Sequence, residues 1–495
     1  MLKKKLIKNL SYFGLAALSI LFTLTQCAKT FDGEAFAPSN AVATVKTVTA
    51  NGGGALYCSI SGGCPAIVTG SDFYSGAKVY FGPYECTNPV ISSDHSQISC
   101  TVGPGKSGVF DVSIVNRDGK ASIFDPSINP TNLKFSYASF LYVGVQDSPG
   151  KVYAYAQNPE TGALLTIGGS PFSVASNNQT YGTVISPNNK FLYAANVSSG
   201  TIAAYQINAA TGSLSLVATP VASGAASPNG LFFHPSGNFL YVTNQGGNSV
   251  SAFAVASDGT VTAVVGSPFS AGSASALNGL VVDPSGRHLY VASMGGTGGV
   301  VGYSIDATTG ALTLLPGSPF SNTSGGFNNT GDGITIHSNG RWLYAGLVNQ
   351  KRVAAFDIDS VTGVLSGIGT PILNNSTTGY TDNGGSGANI SPDGLYFYGT
   401  AFSTNAAHPK KVVVYTIDQT TGDLTRASEA DTGGGPNDVR VDINGLFAYT
   451  CNSSNVPSIS SFSRNTTTGA LSPLSPASIT IPTGNGGPGI MVIQR

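Results

Sequence analysis

Charge is scarce in this 495-residue chain: 23 Lys and Arg stand against 24 Asp and Glu, together 9% of residues, for a net charge of −1. Nucleic acid is therefore not an expected partner, because phosphates are met by a basic surface. No segment repeats its apolar residues at a helical period. No two of the five histidines have metal-ligand spacing, so neither a metal nor a cofactor is expected. Glutamate is nearly missing from 139–495, where Glu160 and Glu429 are the two examples. The polar surface must be Ser, Thr, Asn and Gly instead, and 64 glycines suit a turn-rich extracytoplasmic β protein. The longest apolar run, Phe13 to Leu24, is too short to read as a membrane span.

What the chain does have is repetition. Leu141-Tyr142-Val143, Leu192-Tyr193-Ala194, Leu240-Tyr241-Val242, Leu289-Tyr290-Val291, Leu343-Tyr344-Ala345, Phe397-Tyr398-Gly399 and Ala448-Tyr449-Thr450 share one pattern, with a period of about 50. A period of that size means a solenoid, an array or a propeller. Residues 230–264 decide between them. Leu231-Phe232-Phe233, a turn from His234 to Asn238, Phe239 to Thr243, Ser249 to Val255 and Val261 to Val264 read as four short strands split by turn residues. Four-stranded units repeated radially are propeller blades.

A first-strand pattern also occurs seven times, at Thr183-Val184-Ile185, Leu231-Phe232-Phe233, Leu280-Val281-Val282, Ile334-Thr335-Ile336, Ala388-Asn389-Ile390, Val439-Arg440-Val441 and Ile490-Met491-Val492. The last copy has no second strand after it, and the Leu-Tyr strand at 141 has no first strand before it. The spacing thus predicts seven blades, with residues 489–494 completing blade 1 and removing the open edges of an array. The repeated unit resembles that of the seven-bladed lactonase family, which includes propeller-type bacterial 6-phosphogluconolactonase. The likeness rests on Gly-Ser-Pro-Phe (169–172, 266–269, 317–320), the Pro-Ser/Asp-Gly turn, the Leu-Tyr-Val strand and the Thr-Gly-x-Leu turn, and it covers about 139–495.

Upstream, Lys3, Lys4, Lys5 and Lys8 precede the apolar run as in an export signal. Leu24-Thr25-Gln26-Cys27 resembles a relaxed bacterial lipobox, with Gln26 departing from the expected small residue. The resemblance implies a signal peptide over 1–26, lipidation of Cys27, a tether to residue 43 and anchoring to the cell envelope through several acyl chains. Residues 44–138 carry a separate strand pattern. Val68-Thr69-Gly70-Ser71-Asp72-Phe73 and Gly76-Ala77-Lys78-Val79-Tyr80-Phe81-Gly82 resemble an IPT/TIG immunoglobulin-like β-sandwich, preceding the all-β propeller. Cys58, Cys64, Cys86 and Cys100 in this exported small domain read as a disulfide framework. Cys58–Cys64 and Cys86–Cys100 are the local pairings among three connectivities, and Cys451 is left as a buried free thiol.

The strand order puts short, uniform turns on one face and variable loops on the other, and variable loops on a rigid scaffold carry function. On that second face, charges avoid the loops of blades 2–4 and collect in blades 5–7. An inner-strand position that is Val184, Phe232, Val281 and Met491 elsewhere becomes Thr335, Asn389 and Arg440. Arg440 needs an anionic partner or water: it either meets a ligand or pairs with Asp438 or a neighbouring blade. Asn229, Asn278, Asp332 and Asn437 precede the inner strands and form a second polar set, either for a cation or sugar or for local turn bonding. His234 and His337 open uniform turns on the opposite face, which leaves His408 as the histidine placed to meet a substrate.

Two functions follow. One is an envelope-anchored lipoprotein, a monomer whose propeller binds a protein, a glycan or another envelope partner. The other, implied by the family resemblance, is metal-independent lactone hydrolysis. It would use Glu429 or His408 as base and Arg440 for the substrate anion.

Overall fold

The computed structural model describes residues 43–494 apart from 51–56, 117–118, 120–121, 125–133, 174–178, 297–298, 323–329, 348–350, 374–386, 402–409, 454–455 and 483–485. The signal segment, Cys27, the tether to residue 42 and His408 lie outside the described residues. All regular secondary structure in the described residues is β-strand. The chain forms two compact units. One holds Thr44–Ala50 with Pro65–Gly103 and Phe110–Phe135; the other holds Tyr57–Cys64, Pro104–Val109 and Ser136–Arg495.

In the first unit, five strands run in the order Thr87–Ile91, Gln97–Thr101, Pro65–Ser71, Thr44–Ala50 and Ile123–Phe124. Lys78–Phe81 pairs with Tyr84–Glu85 on one side and with Val112 to Val115 on the other. Alternation along Pro65–Ser71 buries Ala66 and Val68, as expected of a strand with one face in a core. The Cys86–Cys100 disulfide ties Gln97–Thr101 to the residue before Thr87–Ile91. Closing a loop of that size restricts the unfolded chain by about 3 kcal/mol.

The second unit is built of seven antiparallel blades. In six of them the four strands follow chain order, beginning at Thr180–Ile185, Pro228–Phe233, Ala274–Val282, Thr330–Ile336, Ala388–Ile390 and Gly435–Val441. The seventh first strand is Pro488–Ile493, which pairs with Lys134–Val145 in the register Leu141↔Ile493 and Val143↔Met491. The ring therefore closes inside blade 1, as the repeat predicts. Each first strand packs against that of the next blade, all the way round. First strands are thus innermost. The second strands are buried on both faces, as in Phe239–Asn244. The outermost strands of blades 1–4 are only three residues long, which keeps the exposed edges short.

The repeat tyrosines clip blade to blade. Tyr142, Tyr193, Tyr241, Tyr290, Tyr344 and Tyr398 each donate their hydroxyl to the carbonyl of the turn glycine in the following blade: Gly212, Gly259, Gly310, Gly363, Gly422 and Gly469. Tyr449 of blade 7 reaches Gly162 of blade 1 at 2.7 Å and completes the circle. The aromatic residue two before each tyrosine lies under the same glycine. It is Phe140, Phe191, Phe239, His288, Trp342, Tyr396 and Phe447 in turn. The Leu-Tyr-Val and Thr-Gly-x-Leu motifs are thus two halves of one inter-blade contact.

Candidate ligand-binding site

The innermost strands set how close neighbouring blades come. Before each first-strand triplet stands Gly182, Gly230, Gly279, Gly333, Gly387 or Gly489, and in blade 7 Asp438. A Cβ on Gly182 would lie 2.0 Å from Asn229 O, and one on Gly387 would lie 2.7 Å from Asp438 Cα. Between those blades only glycine fits. Blade 7 meets blade 1 differently, through a carboxylate.

Asp438 is 4% exposed. One oxygen accepts from Val439 N at 2.9 Å, and the other from Met491 N of blade 1 at 3.0 Å. Arg440, on the same inner strand, pairs with that second oxygen at 3.0 Å and donates Nε to Met491 O at 2.9 Å. Burial lifts the Asp438 carboxyl above its ordinary value, against the pull of Arg440 and the two backbone N–H groups. Asn437 Nδ2 donates to Pro488 O at 2.9 Å, while its Oδ1 accepts from Ser453. Cys451 is buried and free, with Sγ 2.9 Å from Gly489 O, and burial raises its thiol well above the usual range. Asn389 Oδ1 accepts from Val441 N of blade 7 at 3.0 Å. Arg440, Asn389 and Asn437 thus each bond the backbone of an adjacent blade.

Glu429 lies elsewhere. The outermost strand of blade 6 extends over Leu424–Asp431, eight residues, so Glu429 stands in a strand ladder opposite Val413. Repeat spacing alone puts Glu429 in the variable connection after a short fourth strand. Its two oxygens are held by Lys411 and Arg426. The fold separates it from Arg440, which is on the innermost strand of the next blade. Asp332 is on the innermost strand of blade 5 together with half-buried Thr335, which faces Tyr344 in register. In blades 3 and 4, Asn278 Oδ1 accepts from Gln245 Nε2 at 2.7 Å, and buried Asn229 Oδ1 has no partner among the described residues.

On the uniform-turn face, His234 Nε2 and His337 Nε2 each lie 2.9 Å from the glycine carbonyl of the next blade's first turn, Gly286 and Gly394. Buried His288 pairs with Asp283 at 3.1 Å. Burial raises the Asp283 carboxyl, but bonds from His288, Ser285 and the backbone of His288 and Arg287 outweigh it and bring it below the ordinary value. Among the described residues no three of His, Cys, Asp and Glu gather in a way that could hold a metal ion.

The seven-bladed β-propeller lactonase model matches residues 170–278 and 280–485. The chain belongs to the seven-bladed lactonase family. The IPT/TIG domain model matches residues 56–137, in line with the immunoglobulin-like reading of the first unit. A search of curated proteins returns no relative. Among solved structures the lactonase-family propeller is similar to a proposed 6-phosphogluconolactonase from Bacteroides uniformis, with 20% identity, a TM-score of 0.59 and coverage of 72% of this chain and 99% of that one. A proposed 6-phosphogluconolactonase from Bacteroides fragilis gives 22% identity and a TM-score of 0.58 over 72% and 98%. The periplasmic gluconolactonase PpgL of Pseudomonas aeruginosa gives 19% and 0.59 over 72% and 99%. At such identities the likeness is one of fold.

Sequence reasoning named Asp438 as a possible partner of Arg440 and missed what makes it unusual. The glycine column that it interrupts is visible in the seven aligned repeats.

Proposed function

We propose that this lactonase-family protein is an envelope-anchored lipoprotein whose propeller binds a protein, a glycan or another envelope partner. One observation carries the reading: the charged groups a lactonase would use are engaged within the fold. Arg440 is neutralised by Asp438, and Glu429 by Lys411 and Arg426. A carboxylate whose oxygens are both taken up by cations is not free to hold an attacking water, and a guanidinium already paired binds a substrate anion weakly. The charge-poor loops of blades 2–4 favour a neutral, hydrogen-bonding partner surface. Family membership favours the second reading, lactone hydrolysis.

Hydrolysis of a lactone panel that includes 6-phosphogluconolactone, by a protein spanning residues 28–495, separates the two. No turnover above background is expected from a protein that melts cooperatively. Turnover that collapses in Arg440→Ala would establish the lactonase instead. For the anchor, cells expressing the full chain are expected to incorporate labelled palmitate into it, and Cys27→Ala to abolish the label. Undiminished labelling of the variant would rule out lipidation at Cys27.

A further inference from the structure

We propose that two short upstream segments form a disulfide-locked staple across the point where the propeller ring closes. Closure joins two distant parts of the chain. Strands before it, from residue 136 onward, belong to blade 1; blade 7 and Pro488–Ile493 come after it. No covalent bond crosses the pairing of Leu141 to Val145 with the closing strand, so non-covalent contacts alone hold it.

Tyr57–Ser59 runs parallel to Ser136–Ala138 and extends the strand that receives the closing strand. Ile60 N donates to Ala138 O at 3.2 Å, and Tyr57 packs edge-on against Phe140. Cys58–Cys64 closes this loop into a small ring. Pro104–Val109 joins it: Gly105 N donates to Ile60 O at 2.9 Å, and Gly105 lies so close to the Tyr137 ring that a Cβ would come within 2.7 Å.

Both segments then reach across the closure. Ser59 Oγ donates to Gln494 Oε1 at 3.2 Å. Gln494 follows the closing strand and is fully buried. The same Oε1 accepts from Phe140 N, and Gln494 N donates to Phe140 O at 2.9 Å. On the other side, Asn444 Nδ2 in the first turn of blade 7 donates to Ser107 O at 2.9 Å. The path from Asn444 through Ser107, Gly105, Ile60 and Ser59 to Gln494 ties both later elements to the early strands. A loop of seven residues, from Cys58 to Cys64, stays shaped for this only while its disulfide is intact.

Cys451 reports on the closure. It is fully buried in one cluster with Leu141, Val143 and Tyr153 of blade 1 and Met491 of the closing strand. Separating blade 1 from blade 7 exposes it. Labelling of Cys451 by iodoacetamide in the full-length native protein, read by site-resolved mass spectrometry, therefore tests the staple. In Cys58→Ser/Cys64→Ser the rate is expected to rise about tenfold or more, because exchange through opening follows the opening equilibrium. Ser59→Ala/Asn444→Ala, which keeps every disulfide, is expected to do the same and carries the test should the first variant fold poorly. Cys86→Ser/Cys100→Ser, which lies in the other compact unit and outside the staple's bonds, is expected to stay within about twofold of wild type. Unchanged rates in the staple variants overturn the proposal, and so does equal acceleration by the Cys86/Cys100 variant.

Discussion

Asp438→Gly is expected to lower the stability of the propeller by about 3–5 kcal/mol, because it leaves a half-buried guanidinium without its carboxylate. It also leaves Met491 N and Val439 N without an acceptor, at the junction of blades 7 and 1. Arg440→Val alone is expected to be costly for the converse reason, since it strands a carboxylate that is 4% exposed. The double variant Asp438→Gly/Arg440→Val restores the pair found in blade 4, Gly279 and Val281. It removes both charges and leaves only the two N–H groups without their acceptor, so it is expected to lie closer to wild type than either single variant, as when buried ion pairs are replaced by apolar groups. Urea unfolding of the four proteins gives the coupling energy directly. Losses that simply add would show that the pair does not act as a unit.

The same pair has a defined pH signature. Burial raises the Asp438 carboxyl in the folded protein above its unfolded value. Stability from such a group is complete below the unfolded value and is lost as pH rises through the folded one. Wild type should therefore gain on the double variant as pH falls from neutral toward about 4. A difference independent of pH counts against this account of Asp438.

Gly422→Ala carries the second large effect, expected at about 2–5 kcal/mol. Gly422 has φ +77°, where an L side chain costs about 1–2 kcal/mol. A Cβ there would also come within 2.6 Å of the Trp342 ring, and overpacking of that kind adds about 1–3 kcal/mol. The clash would displace the turn whose carbonyl accepts from Tyr344 at 2.8 Å. Gly237→Ala separates the two contributions. Its φ is also +77°, but the nearest atom, Pro187 Cδ, is 3.8 Å away. Gly237→Ala should lose only the backbone part. Equal losses at the two sites would mean that the inter-blade contact adds nothing.

The polar residues of blades 5–7 form a pattern whose cause the sequence leaves open between a ligand and a neighbouring blade. Thr335, Asn389 and Arg440 do interrupt an apolar column. For Asn389 and Arg440 the cause is local: each bonds a neighbouring innermost strand. Glu429 shows a different limit. Its placement depended on where a strand ends, and pairing with Lys411–Ile417 carries the ladder through it. Strand ends are set by partners distant in sequence, so periodicity reads them poorly.

The sequence by itself determined the blade count, the closure by Pro488–Ile493 and the all-β class, because each blade repeats a strand and turn pattern that is decided within about 50 residues. It also offered the cysteine pairings Cys58–Cys64 and Cys86–Cys100 as the local choice, and the structure has both. Only the tertiary structure decided the partners of the polar side chains. Arg440 finds Asp438 and Met491, Glu429 finds Lys411 and Arg426, and Ser59 finds Gln494, 435 residues away. A repeat specifies where a side chain stands on its own blade; what it meets belongs to the next blade, or to the far end of the chain.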